Sequence, residues 1–343
     1  MKIAALDQAL TFARTSGKLI AVHAIANGRV TGTDITSLAT PGEDPISLVN
    51  RLGYDSVRTQ IEAIVATTEV ADADLIIPVD LTDAHIAAGT NYREHAKESA
   101  VEGDPFLFPK LVTPTSWRAK VPAGAALLDF EVELCLVTMK PLGLTEPATG
   151  GLILGNDFTD RATLLRKVDT SNPQSGRGFT SGKSAPGFLP VGNLFVVPRD
   201  LKAFVARLTL QLSVNGIERQ RAPATDWIWD LDEILRQTRL KKDVAWEWTN
   251  GTARLPFTPD GAIPARTLIM AGTPAGTIWQ GPGRQDFAFG ALDLVLSAFT
   301  KPIVKCVIER YIARARREAF YLKPGDRVTI NVDNLGALEN TVA

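Results

Sequence analysis

The 343-residue chain carries 37 Lys+Arg against 38 Asp+Glu, for a net charge of −1, with 3 His, 2 Cys and an apolar share of 45%. Such balance argues against a protein built for nucleic-acid or anionic-membrane surfaces, and two distant cysteines make neither a disulfide framework nor a zinc module. Any metal must therefore rest mostly on carboxylates, which select a hard cation such as Mg, Mn or Ca.

The first residues lack the apolar run and cleavage pattern of a secretory leader. The most apolar stretch, Phe287 to Val304, is broken by Asp293 and Lys301-Pro302. It cannot span a membrane, and a soluble cytoplasmic protein is expected. Residues 1–80 read as a small N-terminal α+β domain. Lys18 to His23 is strand-like and turns at Asn27-Gly28, an early hairpin signal, with His23 expected inside. Pro45 to Ala66 has apolar residues at helical spacing. His85 is expected on the surface.

Strands dominate residues 81–343. Leu127 to Val137 is a strand of mixed pattern; Arg207 to Val214 alternates cleanly and ends in Asn215-Gly216, a hairpin turn. Asp226 reads as the N-cap of a helix with Ile228, Leu231, Ile234 and Leu235 as its stripe. The chain closes with strand, turn and strand from Tyr321 to Val342. The class is α+β and β-rich. No GxGxxG or GxxxxGK[ST] motif supports a nucleotide cofactor.

Three segments can carry chemistry. In Asp129-Phe130-Glu131-Val132-Glu133-Leu134, the period of two puts Glu131 and Glu133 on one face of a strand. Carboxylates so close repel unless a cation or proton lies between them; the competing reading is a solvated acidic face. The short strand Leu152-Ile153-Leu154-Gly155 ends at Asn156-Asp157, where Asp157 suits a third ligand or, alternatively, an Asx turn or helix cap. In Gly89 to Glu98, His95 and Glu98 stand three apart and share a helix face. A carboxylate-paired His can act as a general base near neutral pH; the alternative is a surface His in a charged helix.

Taken together, residues 81–343 resemble the fumarylacetoacetate hydrolase superfamily. The resemblance rests on seven segments in order: GTNYREHAKE (89–98), DFEVEL (129–134), GNDFTDR (155–161), GKS…PVG (182–192), VNGIERQ (214–220), GTPAGT (272–277) and LKPGDRVTINVDNLGALENTV (322–342). It implies a mixed β-sandwich or β-roll catalytic domain, usually assembled as a homodimer. It further implies that Glu131, Glu133 and Asp157 hold a divalent metal, Mg first, with Mn or Ca as alternatives. His95 and Glu98 match the water-activating dyad and Lys183 a lysine beside the metal. Arg161, Thr273 and Tyr92 are implied as substrate contacts, and Lys110 as a pocket liner.

The implied activity is metal-dependent hydrolysis of a C–C bond in an acylpyruvate or β-diketo acid through a metal-stabilised enolate. The alternatives are a hydratase, dehydratase or decarboxylase of a 2-keto-3-deoxy acid, and a non-catalytic binding scaffold. The partner is a small 2-oxo or diketo acid, not nucleic acid or membrane.

The chain departs from the family pattern twice. After Asn-Asp, Ala162 and Leu164 stand where an acid and a polar pocket residue are common, which weakens transfer of fumarylacetoacetate itself as substrate. Ile278 to Tyr321, about 278–321, forms a long helical insertion with an apolar stripe and then Arg310, Arg314, Arg316 and Arg317. The stripe is read as packing on the domain or a partner subunit, with a lid or pocket extension as the alternative, and the arginines as a solvated face.

Overall fold

The computed structural model describes residues 1–99, 103–124, 126–143, 145–297 and 299–343. A ten-stranded sheet forms its spine. From one edge to the other it runs Thr68–Ala71, Arg29–Asp34, Leu19–Ala26, Ala9–Arg14, Phe195–Pro198, Gly151–Asn156, Val132–Val137, Leu268–Met270, Ala84–Gly89 and Phe106–Leu111. All neighbours are antiparallel except Leu268–Met270 and Ala84–Gly89. The strands of residues 1–80 join this sheet where Ala9–Arg14 pairs with Phe195–Pro198. A second sheet is built from Ile217–Pro223, Thr209–Val214, Arg327–Val332, Gly336–Val342 and Lys120–Val121.

Both Asn-Gly turns form as expected. Asn27 and Gly28 have φ of 52° and 73°, and Asn215 and Gly216 have 51° and 80°, the left-handed pair that a tight hairpin demands.

Several local expectations shift. The helical pattern of 45–66 divides into Pro45–Leu52 and Tyr54–Ala63, because Gly53 sits at φ 85° and breaks the ladder. The expected 226–235 helix starts later, as Leu231–Leu240 capped by Asp230, whose side chain accepts from Glu233 N. Asn91 is the reason: it takes the backbone N–H groups of Ile228 and Trp229 at 2.7 and 2.8 Å, holding that stretch out of the helix. The two outlying histidines exchange places. His23 is exposed and bonds Thr33, while His85 is fully buried and Nδ1 accepts from Leu268 N at 3.2 Å. His85 lies in an inner strand buried on both faces, between Leu268–Met270 and Phe106–Leu111, whereas His23 sits at a register shift in Leu19–Ala26.

The sheet order also fixes where chemistry can gather. The parallel strands Ala84–Gly89 and Leu268–Met270 end at the same edge of the sheet, leading into Thr90–His95 and Gly272–Thr273. Val132–Val137 runs opposite to them, so its leading Glu131 lies at that edge; Gly151–Asn156 runs back again, and delivers Asp157 there too.

The insertion folds as two helices, Arg284–Leu296 and Ile303–Arg317. Its second helix buries Val307, Ile308, Tyr311 and Ile312, and packs on Leu127, Ala162 and Leu165. The arginines act within the hairpin: Arg314 pairs with Asp286 at 2.7 Å and Arg310 with Asp293, tying one helix to the other. Among the described residues, no helix is long and apolar enough to cross a membrane.

Candidate active site

Register builds the acidic cluster. Gly155 faces Glu133 and Asn156 faces Val132, so the next pair sets Asp157 against Glu131, with Asp157 N donating to Glu131 O at 2.9 Å. Glu133, two residues on, shares Glu131's face. The three carboxylates offer oxygens within 4.8 Å of one another, and all three residues are buried. A solvated acidic face is thereby excluded. Asp157 is not the cap of the following helix either. Asp160 holds that place, accepting from Ala162 N, and leaves Asp157 to the cluster.

Three buried cations surround the acids. Lys183 Nζ lies 2.8 Å from both Glu131 Oε2 and Asp157 Oδ2. Arg161 bridges Glu131, at 2.7 Å, and Asp129, at 2.9 Å. Lys110 donates to Asp157 and to the carbonyls of Lys183 and Phe188, so all three of its protons are used. Lys110 is fully buried and supports Asp157 from behind rather than lining the cavity.

Glu133 differs from its neighbours. Among the described residues it forms no ion pair; Gly272 N, from a glycine at φ 84°, donates to it at 2.9 Å. Burial, with the charges of Asp157 and Glu131, pushes its carboxyl well above the usual range. Burial also pushes Glu131 up, but Lys183 and Arg161 outweigh it and hold that carboxyl low. Burial pulls Lys110 down, whereas Asp157 and Glu131 overcome burial at Lys183 and raise it.

A buried all-oxygen donor set with one carboxylate lacking a cation fits a hard divalent ion. Glu131, Glu133 and Asp157 are the residues that would hold it.

His95 sits in the short helix Arg93–Glu98, with Nδ1 3.1 Å from Glu98 Oε2. Glu98 is itself fixed by Gly276 N, at 3.1 Å to Oε1. His95, Thr273, Arg161, Lys183, Glu131 and Asp157 line one cavity of about 390 Å³. Thr273 Oγ1 accepts from Gln220 Nε2 at 2.8 Å. Tyr92, expected at the substrate, does not line this cavity. Its hydroxyl donates to Ala224 O at 3.1 Å, deep in the core, because the strand-like residue before the helix turns inward.

Sequence reasoning passed over three residues. Asp129 anchors Arg161 and accepts the N–H groups of Ile278 and Trp279 at 3.0 and 3.3 Å, joining the insertion to the cluster. Gln220 clamps Val132 N to the Thr273-Pro274 turn. Thr90 lines the cavity at φ 53°, a costly conformation for a β-branched residue. Asp129, Gln220 and Thr90 all lie within the seven segments, the one signal that could have found them.

Comparison with known proteins gives the family and the fold. Residues 84–343 match the family described as fumarylacetoacetate (FAA) hydrolase C-terminal. An uncharacterized protein of Staphylococcus epidermidis is 27% identical over 282 residues, covering 79% of this chain and 72% of that protein. Among solved structures, maleylpyruvate hydrolase from Sphingobium sp. SYK-6, in complex with manganese(II) and pyruvate, superposes with TM-score 0.57 at 20% identity, over 97% of this chain and 99% of that one. The 2-hydroxyhepta-2,4-diene-1,7-dioate isomerase from Mycobacterium marinum gives 0.55 at 19% identity over 98% of each chain. The fold is shared with both. On the family match across most of its length, the chain belongs to the fumarylacetoacetate hydrolase family.

Proposed function

We propose that the protein hydrolyses a C–C bond in an acylpyruvate or related β-diketo acid, using a divalent cation, Mg²⁺ in the cell, held by Glu131, Glu133 and Asp157. The observation that carries the reading is Glu133. It is a buried carboxylate that forms no ion pair among the described residues, beside Glu131 and Asp157, which line one cavity with His95, the partner of Glu98. The manganese and pyruvate bound by the maleylpyruvate hydrolase support the same class of ligand here.

A bound divalent cation would supply Lewis acidity to the adjacent oxygens of a 2-oxo acid. Lys183 adds fixed positive charge where negative charge develops on that end of the substrate. Glu98 holds Nδ1 of His95, which leaves Nε2 to take a proton from water. The hydroxide adds to the distal carbonyl and the C–C bond breaks. Its electron pair stays with the pyruvate methylene carbon, which takes up the proton held by His95. The products are a carboxylic acid and pyruvate. Arg161 keeps Glu131 ionised and aligned, and Thr273, fixed by Gln220, is the neutral donor for the substrate carboxylate.

The isomerase neighbours support a second reading, in which the same site rearranges or dehydrates a 2-keto-3-deoxy acid. The retained His95–Glu98 pair favours hydrolysis. Product analysis on acetylpyruvate with Mg²⁺ decides: hydrolysis yields acetate and pyruvate, whereas turnover only of 2-keto-3-deoxy acids, with one chain shorter by water, contradicts it. A homodimer located in the cytoplasm belongs to the same proposal, and light scattering tests the assembly.

A further inference from the structure

The cavity has two unlike ends. Its floor is the charged cluster described above, while much of its outer wall is apolar and comes from the insertion: Phe287 from the first helix and Ile303, Val304, Val307 and Ile308 from the second. Leu164 and Leu165, from the Arg161–Lys167 helix, continue that wall toward the floor.

A substrate with a second carboxylate would need a cation at this outer end. Besides His95, which the water step occupies, only two basic side chains line the cavity among the described residues, Lys183 and Arg161. Both belong to the floor and both are committed, Lys183 to Glu131 and Asp157, Arg161 to Asp129 and Glu131. Of the basic residues of the insertion, Arg310 and Arg314 are held by Asp293 and Asp286, Lys301 and Lys305 line a separate cavity, and none, Arg284 included, lines this one. The six residues outside the description include no Lys, Arg or His. Neutral hydroxyls such as Thr90 and Thr170 add polarity without charge.

The wall is also open. Phe287, Ile303 and Val304 remain 56%, 40% and 42% exposed, so the cavity mouth runs along the hairpin and has room for a chain longer than the floor alone could hold. The hairpin is a firm element rather than a loose flap. Its helices approach so closely that a Cβ at Gly290 would come within 2.9 Å of Val307 Cα. Apolar area so displayed at the mouth gains free energy when an apolar ligand covers it.

The geometry points to a substrate whose distal group is an uncharged, apolar acyl chain or aryl ring, bound along the insertion hairpin, rather than a dicarboxylate of the fumaryl or maleyl type. This inference rests on the 2-oxo acid reading of the floor. It adds that Leu164, Phe287, Val304 and Val307 set specificity.

The test compares two ligands of equal length, 2-oxooctanoate and 2-oxooctanedioate, by calorimetry on the Mn²⁺-loaded protein, alongside kcat/KM for acetyl-, butanoyl-, hexanoyl- and benzoylpyruvate. The expected result is tighter binding of 2-oxooctanoate by about tenfold or more. A rise in kcat/KM of about three- to fourfold for each methylene that reaches the hairpin should accompany it. Val304→Arg, at a half-exposed position that tolerates a long side chain, should reverse the binding order. Equal or tighter binding of 2-oxooctanedioate by the wild-type protein overturns the inference, as does failure of both to bind. A preference for 2-oxooctanoate without turnover of any acylpyruvate supports the apolar pocket and instead refutes the hydrolase reading.

Discussion

Asp157 and Glu131 face each other as the last pair of an antiparallel ladder, joined by a backbone bond of 2.9 Å, and one ammonium group, Lys183 Nζ, lies 2.8 Å from both carboxylates. The arrangement sets two acids side by side in a buried place, shares one cation between them and adds Arg161 on Glu131 and Lys110 on Asp157. Glu133, the third acid, receives none. The chemistry proposed for the site follows from that imbalance.

Removing Lys183 should expose it. Lys183→Met leaves Glu131 and Asp157 buried with fewer partners, at a cost of about 3–5 kcal/mol in the metal-free protein. Mn²⁺ should restore part of the loss by supplying charge to the same oxygens. Thermal melts with EDTA and with Mn²⁺ measure both effects.

Glu133→Gln separates metal binding from folding. The neutral amide keeps the shape and removes a buried carboxylate that no cation compensates. In EDTA the variant should be at least as stable as the wild type. Saturating Mn²⁺ at a hundred times its Kd should raise wild-type stability by about 2.7 kcal/mol and the variant by much less. A full metal response in the variant would remove Glu133 from the site.

His95→Gln should lower turnover of the preferred acylpyruvate by about 10²- to 10⁴-fold, with Mn²⁺ affinity unchanged, because His95 serves water and not the metal. Glu98→Gln should show a smaller loss, since the His ring keeps its place but loses its charged partner. Steady-state kinetics beside Mn²⁺ titration gives both numbers.

His85 adds a pH dependence of its own to folding, opposite in sign to that of the raised Glu133 carboxyl. Burial, helped by the charge of Lys110, pushes its pKa down to about 3. The unfolded chain takes up the proton near the ordinary His value of about 6.5. Stability from this residue is therefore complete above that pH and is lost as pH falls toward 3. The slope is about 1.4 kcal/mol per pH unit. Urea titrations at pH 7, 6 and 5 should show the stability of the wild type falling relative to that of His85→Gln as the pH drops.

Much of this site is legible along the chain because it depends on short-range periodicity. Glu131 and Glu133 share a face by the period of two, His95 and Glu98 by the helical spacing of three, and the Asn-Gly turns carry their own backbone preference. What escaped depends on pairing across long separations. Nothing local shows that Asp157 meets Glu131, or that Asp160 rather than Asp157 caps the helix, since register decides both. Lys110 looked like a pocket lysine because its three acceptors come from Asp157, Lys183 and Phe188, far along the sequence. Tyr92 and the exchanged pair His23 and His85 fail for a related reason. Their burial depends on which strand lies beside them, and the sheet order is not written in local composition.

One face of Ile303–Arg317 packs on Leu127, Ala162 and Leu165, and another lines the cavity. Ala162 thus helps to seat that helix, and Leu164 lines the cavity.

The central claim is that the acidic triad holds the cation on which the chemistry depends. Anomalous diffraction at the manganese edge, from crystals soaked in Mn²⁺, tests it most directly. The account predicts a strong peak between Glu131, Glu133 and Asp157, absent from Glu133→Gln crystals treated in the same way. A triad without a peak while manganese binds elsewhere, or an equal peak in the variant, would contradict it.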